Sequence, residues 1–252
     1  AAEMLGAIHH YETGLRLASL GIENPQTAWG GDLISRINHA IAGDDNADAL
    51  RHAAITAINA LAADLCHAVN AAPADIVDIA ICGNTAMQHL LLGLPVRQLG
   101  RAPFVAAVRD AVDLKARDLA LDAAAGAYVT IAPSIGGFVG GDHVTALLAT
   151  ENRWRDGRTV LVMDIGTNTE ISLIHRGEIL SASCPSGPAL EGGHISCGMR
   201  AAEGAIESVR VEDGRVRSKT IGGKEAIGLC GSGVLDALAT LRRAELIDEG
   251  GR

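Results

Sequence analysis

Apolar residues recur at three- and four-residue spacing from Asp48 to Asn70. Leu50, Ala54, Ile58, Leu61, Leu65 and Val69 share one face, which predicts a long amphipathic helix that Pro73 ends. The tetrad Gly43-Asp44-Asp45-Asn46 before it reads as a break, and Asp32 reads as the cap of an earlier helix reaching about Ala42. Upstream, residues 5–20 pass as two strands around a Glu12-Thr13-Gly14 turn, with a further turn at Asn24-Pro25-Gln26-Thr27. A buried strand, Ile76–Cys82, is turned by Gly83-Asn84-Thr85 into an Ala- and Leu-rich helix ending near Gly93 and Pro95. The pattern between 96 and 128 is weak. It suggests a helix around 115–125 and a strand near 127–132. The glycine-rich loop 133–141 precedes Asp142, which opens a helix to about Thr150.

Past the polar stretch Glu151–Arg158, strands are predicted at 159–164, 169–175 and 178–184, followed by a Gly/Pro loop at 185–193. A helix or loop spans 194–206. Two short strands, 207–212 and 215–220, flank Glu212-Asp213-Gly214, a hairpin signal. Gly228–Gly233 leads into a last helix, Val234–Ala244. The order of elements is mixed α/β in both halves, and the polar stretch divides the chain into lobes of 1–150 and 151–252.

Composition narrows the chemistry. Apolar residues make up 48% of the 252, yet aromatics only 2%, so the core is built from Ala, Val, Ile and Leu. Net charge is −9; the first 150 residues hold 8 basic against 15 acidic side chains. No basic stripe with interleaved aromatics exists, which argues against a nucleic-acid partner. No apolar run approaches the ~18 residues of a membrane span. Five widely spaced cysteines without a Cys-x-x-Cys pair suit free thiols in a reducing cytoplasm. The chain starts Ala-Ala-Glu without Met and is expected to be a fragment.

The most informative stretch is Asp164–Glu170, a strand end followed by small hydroxyl and amide residues and a second strand. Gly166 admits a close approach or a positive φ. Thr167, Asn168 and Thr169 offer hydroxyls, an amide and backbone N–H groups to phosphate oxygens. Asp164 is placed to hold a divalent cation or its water. A polar hairpin turn is the plain alternative. Gly231, Ser232 and Gly233, opening a helix, suit an anion or a flat base, or else a tightly packed helix start. Asp142 reads as a helix cap or as a carboxylate that orients a water in phosphoryl transfer. Glu191, between Leu190 and a Gly-Gly pair, lines a cleft with these groups or caps a helix.

Six strings occur in order: Asn-Pro-Gln with Gly-Asp-Leu-Ile-Ser-Arg-Ile (24–37), Gly-Asn-Thr-Ala-Met (83–87), Gly-Gly-Phe-Val-Gly-Gly-Asp (136–142), Asp-Ile-Gly-Thr-Asn-Thr-Glu (164–170), Ser-Gly-Pro-Ala-Leu-Glu-Gly-Gly (186–193) and Gly-Leu-Cys-Gly-Ser-Gly (228–233). Together they resemble the ATP-dependent reductive activators of corrinoid proteins. The resemblance implies the actin, sugar kinase and Hsp70 fold, with two ribonuclease H-like lobes and ATP with Mg²⁺ between them. The implied role returns cob(II)alamin to cob(I)alamin on a corrinoid methyl-transfer protein, with ATP hydrolysis changing the lobe angle. Asp164–Glu170 would match the second-lobe phosphate motif and Gly228–Gly233 the adenosine motif. Asp142 would be catalytic alongside Asp164, by likeness to the Gly-Asp-Gln helix of carbohydrate kinases.

Members of that family carry a 2Fe–2S domain upstream, and nothing here has its four-cysteine spacing. The first-lobe phosphate turn is expected before residue 1, and the family continues past Arg252, so truncation at both ends is the expectation. A homodimer is compatible with this reading. A small-molecule kinase of the same fold, and a docking or dimerisation module without nucleotide, are the alternatives.

Overall fold

A computed structural model describes residues 3–212 and 214–252. The chain divides into two compact units, Ala1–Asp156 and Gly157–Arg252.

The first unit opens with the antiparallel pair β1 (Glu3–His9) and β2 (Arg16–Glu23). Its turn holds Gly14 at φ +68°, a conformation in which glycine has no Cβ penalty. Helix α1 (Leu33–Ile41) starts where expected, with the Asp32 carboxylate accepting from the Ser35 N–H at 2.9 Å. Helix α2 (Asp44–Ala68) is longer than its periodicity suggested. Gly43 alone breaks the chain as the extended N-cap, and an acidic residue in the first turn, Asp45, suits the positive end of the helix dipole. Leu50, Ala54, Leu61 and Leu65 are buried as the spacing required, while Val69 lies just past the helix end.

Three further strands form a mixed sheet. β3 (Asp78–Ile81) runs parallel to β5 (Tyr128–Ile131), and β4 (Val112–Lys115) runs antiparallel to it. Helix α3 (Thr85–Leu92) follows β3 and stops at Gly93. The helix anticipated at 115–125 is absent. Its place is taken by β4, a 3-10 turn at Ala116–Leu119 and a loop with Ala120 at φ +54°. Two observations explain the difference: Val112–Lys115 find strand partners in Tyr128–Ile131, and Lys115 Nζ sits 3.3 Å from the centre of the Tyr128 ring. Helix α4 (Gly141–Ala149) closes the unit.

The unit's core has two apolar clusters. Ile55, Leu91, Leu119, Val129 and Ile131 form one, and Ile37, Leu50, Leu90, Val96 and Leu99 the other. A polar network runs beside the second. Asn24 caps the Pro25–Trp29 turn by accepting from the Gln26 N–H at 3.0 Å. Gln26 Nε2 donates to the Leu50 carbonyl at 2.8 Å, and Arg36 Nε donates to the Gly30 carbonyl at 2.9 Å. All three side chains are buried, as such groups can be only when hydrogen-bonded.

The second unit begins with an antiparallel meander, β6 (Val160–Ile165), β7 (Asn168–His175) and β8 (Glu178–Pro185). No helix forms between 194 and 204. A second sheet places β9 (Ala205–Glu212) between antiparallel β10 (Arg215–Thr220) and the two-residue parallel β11 (Gly228–Leu229). Glu212 and Arg215 pair as a hairpin, and Asp213 between them lies outside the described residues. Helix α5 (Gly231–Arg243) starts three residues earlier than expected and packs on β9. Both units are mixed α/β. No helix of the described residues is long and apolar enough to cross a membrane.

Candidate phosphate site

The β6–β7 hairpin places Asp164 directly opposite Glu170. Paired residues on antiparallel strands share a face, so the two carboxylates stand together at the mouth of the turn. Asp164 is exposed; Glu170 is half-buried and accepts from the Ser183 hydroxyl at 2.9 Å. The turn is Gly166-Thr167, closed by the Gly166 N–H donating to the Asn168 carbonyl at 3.1 Å. Gly166 is not left-handed. It sits instead in a close approach: an added Cβ would stand 3.1 Å from Glu191 Oε1, which would have to give by a few tenths of an ångström.

Glu191 is the principal neighbour of the turn. It ends the 3-10 turn Pro188–Glu191, and its Oε2 accepts a short hydrogen bond from the Thr167 hydroxyl. The Thr167 carbonyl accepts from the N–H groups of Ser186 at 3.0 Å and Gly187 at 2.9 Å, which ties the start of the same loop to the hairpin. Thr169 is buried, and its hydroxyl is 2.5 Å from Ser186 Oγ. Thr169 therefore braces the loop, whereas Thr167 and Asn168 sit nearer solvent.

The glycine-rich start of α5 reaches the same place. A Cβ on Gly231 would fall inside contact of the Leu190 carbonyl oxygen and 3.6 Å from Glu191 Cα. A Cβ on Gly233 would collide with the Ile206 carbonyl oxygen. Ser232 Oγ lies 3.3 Å from the buried Cys230 Sγ. One side of α5 is held by Asp236, which accepts from the Val209 N–H at 2.6 Å and the Ser208 hydroxyl at 2.9 Å. Those bonds, the backbone one first, keep the Asp236 carboxyl below its ordinary range. Within the second unit, the 3-10 turn at 188–191 thus touches both the hairpin at 164–170 and the helix start at 231–233.

Asp142 belongs to the first unit. It is not the cap of α4, because Gly140 holds that position; it lies in the first turn, half-buried, and accepts from the His143 N–H at 2.9 Å. The Asp142 N–H donates to the Gly83 carbonyl at 3.2 Å, and the Thr85 hydroxyl donates to the Gly136 carbonyl at 2.6 Å. The strings at 83–87 and 136–142 are therefore one assembly, in which Asn84 caps α3 through the Met87 N–H. Below it, buried His89 donates from Nδ1 to the Thr85 carbonyl at 2.7 Å and accepts the Ala107 N–H on Nε2 at 2.9 Å. Those two bonds fix a neutral imidazole, and burial pushes its pKa down.

The donors fit a nucleotide phosphate with its cation. Magnesium commonly takes one or two carboxylates and completes its shell with phosphate and water, and the hairpin offers Asp164 with Glu170 opposite. A protein cage is absent: no group of three or more His, Cys, Asp or Glu among the described residues could hold a metal by itself. All five cysteines are free thiols.

Two family descriptions match the chain, "RACo middle region" over residues 1–153 and "C-terminal domain of RACo the ASKHA domain" over 158–252. A corrinoid activation enzyme, RamQ, from Eubacterium limosum is 37% identical across 98% of this chain and 41% of its own length. A [Co(II) methylated amine-specific corrinoid protein] reductase from Methanosarcina barkeri is 30% identical across 48% of this chain and 26% of its own. Among solved structures, a reductive activator for corrinoid, iron-sulfur protein superposes with a TM-score of 0.88 at 34% identity, covering all of this chain and 40% of that one. The chain spans about two-fifths of the length of the RamQ relative and of the solved activator.

Proposed function

The chain belongs to the RACo family, and from that membership we propose that it is the ATP-binding part of a reductive activator. In this reading the whole protein returns cob(II)alamin to cob(I)alamin on a corrinoid methyl-transfer protein, with nucleotide turnover remodelling that partner so that a low-potential electron reaches cobalt. Cobalt is the substrate here. The observation that supports the reading best lies in the ASKHA-matched region. There the hairpin 164–170, the loop 186–193 and the helix start 231–233 meet through Glu191 and Leu190. Free thiols suit a cytoplasmic location.

The proposed roles follow from what each group can donate. Thr167 and Asn168 supply the hydroxyl and amide for phosphate oxygens, and Gly166 adds no side chain to the turn. The start of α5 at Gly231, Ser232 and Gly233 holds the adenosine. Asp164 holds Mg²⁺, directly or through water; when bound, the ion neutralises phosphate charge. Asp142 is assigned to positioning the attacking water. The test is a full-length assay with a cob(II)alamin-loaded corrinoid protein, a low-potential donor and ATP, followed by cob(I)alamin absorbance. ATP-dependent reduction that Asp164→Ala abolishes is expected. Reduction at the same rate without ATP contradicts the reading.

A further inference from the structure

A phosphate-binding turn ordinarily gathers donors and excludes anions, since backbone N–H groups and hydroxyls must stay available. This turn does the opposite at one point. The Glu191 carboxylate accepts the Thr167 hydroxyl through Oε2, while Oε1 lies over Gly166 close enough to meet an added Cβ at 3.1 Å. The carboxylate therefore takes the donor that a phosphate oxygen would use, and it brings a negative charge with it.

Glu191 is held there by its backbone. The loop is fixed at its start by the two N–H bonds from Ser186 and Gly187 to the Thr167 carbonyl. The 3-10 turn is bracketed by Gly187 at φ +79° and Gly192 at φ +76°. Leu190 is pressed by the start of α5, whose Gly231 leaves no room for a Cβ. These restraints fix the backbone of Glu191, and its bond to the Thr167 hydroxyl directs the exposed side chain. Two more carboxylates, Asp164 and Glu170, face each other at the mouth of the same turn. An unaccompanied nucleotide phosphate would meet all three.

We propose that Glu191 is a charge gate on the phosphate turn: its carboxylate competes with phosphate for the Thr167 donor and makes nucleotide entry depend on a divalent cation. The inference rests on the nucleotide reading above and deepens it. With Mg²⁺, the acidic group ceases to be a competitor, because a cation between carboxylate and phosphate converts repulsion into attraction. Without Mg²⁺, like charges at van der Waals range oppose binding.

The test is ADP affinity by calorimetry, with Mg²⁺ and with EDTA, for the protein and its Glu191→Gln, Glu191→Ser and Glu191→Asp variants, each checked for native circular dichroism. The native protein and Glu191→Asp are expected to lose more than about tenfold in affinity when Mg²⁺ is removed. The two neutral variants are expected to lose less affinity on Mg²⁺ removal than the native protein, by at least about threefold, because Asp164 and Glu170 keep their own share of the dependence. Two neutral replacements guard against one failing to fold. An Mg²⁺ dependence equal in the native and neutral proteins overturns the gate while leaving the nucleotide reading intact. Absence of binding by every protein under both conditions overturns the nucleotide reading, and the gate falls with it.

Discussion

The Thr167 hydroxyl is hydrogen-bonded to the Glu191 carboxylate, so a residue in the turn of one hairpin is tied to the end of a loop 24 positions later. Joined to the packing of Gly231 on Leu190, this bond makes three separate glycine-rich strings into one surface of the second unit.

Asp164 is exposed on that surface and open to a cation. Replacing it with Ala is expected to lower Mg²⁺-dependent ADP affinity by at least about tenfold, ~1.4 kcal/mol. The hairpin itself is expected to survive, because strand pairing there uses backbone groups. Calorimetry of Asp164→Ala with Mg²⁺-ADP checks this, and unchanged affinity removes Asp164 from the site.

Asp142→Asn is expected to spare nucleotide binding and to slow ATP hydrolysis by about tenfold or more in the full-length protein, if the carboxylate acts on the attacking water. The His143 N–H bond can be accepted by the amide oxygen of Asn, so the fold is expected to hold. Undiminished turnover would leave Asp142 with a role only in the first turn of α4.

Gly233 is fixed by close packing. A methyl group there would meet the Ile206 carbonyl of β9, which cannot move without disturbing the sheet. Gly233→Ala is expected to destabilise the fold by about 1–3 kcal/mol, the usual cost of overpacking. Chemical denaturation measures it directly. A neutral effect would mean that α5 shifts freely on β9.

His89 gives the first unit a pH dependence. Burial holds its folded pKa below the ordinary value, so the unfolded chain takes up a proton at about pH 6.5 while the folded one does not. Stability is therefore full above that pH, falls as pH drops toward the folded pKa, and levels off below it. The slope from one such group is at most ~1.4 kcal/mol per pH unit. Denaturation of the native protein and of His89→Gln between pH 5 and 8 is expected to show the steeper fall in the native protein. Equal slopes would exclude His89 as the cause.

Asp236 titrates with the opposite sign. Its folded pKa is depressed by the Val209 N–H and the Ser208 hydroxyl, so its contribution is present above the ordinary Asp range and disappears as pH falls through the folded pKa. Asp236→Ala is expected to lower the thermal midpoint at pH 7 and to match the native protein under strongly acidic conditions. A midpoint unaffected at pH 7 would show that α5 docks without it.

Local patterns were legible where local forces decide. The spacing of Leu50, Ala54, Leu61 and Leu65, the Asp32 cap, the helix that follows Gly83-Asn84-Thr85 and the strands around 164–170 all stand in the fold as the sequence implied. The misreading at 115–125 has a long-range cause: Val112–Lys115 take their structure from Tyr128–Ile131, which no local propensity reveals. The same holds for Asn24, Gln26 and Arg36. They stood out as part of the first string that carries the resemblance, but their buried bonds, such as Gln26 to the Leu50 carbonyl, join distant segments. Glu191 was visible as a carboxylate beside glycines. Its attachment to Thr167 depends on how the loop folds back, and spacing does not encode that.

The central claim is that this chain carries a nucleotide site built on Asp164–Glu170. Calorimetric titration with Mg²⁺-ADP and Mg²⁺-ATP tests it most directly. The account predicts a single site of micromolar affinity that Asp164→Ala removes. Absence of binding at millimolar nucleotide, by protein that is folded by circular dichroism, would contradict it.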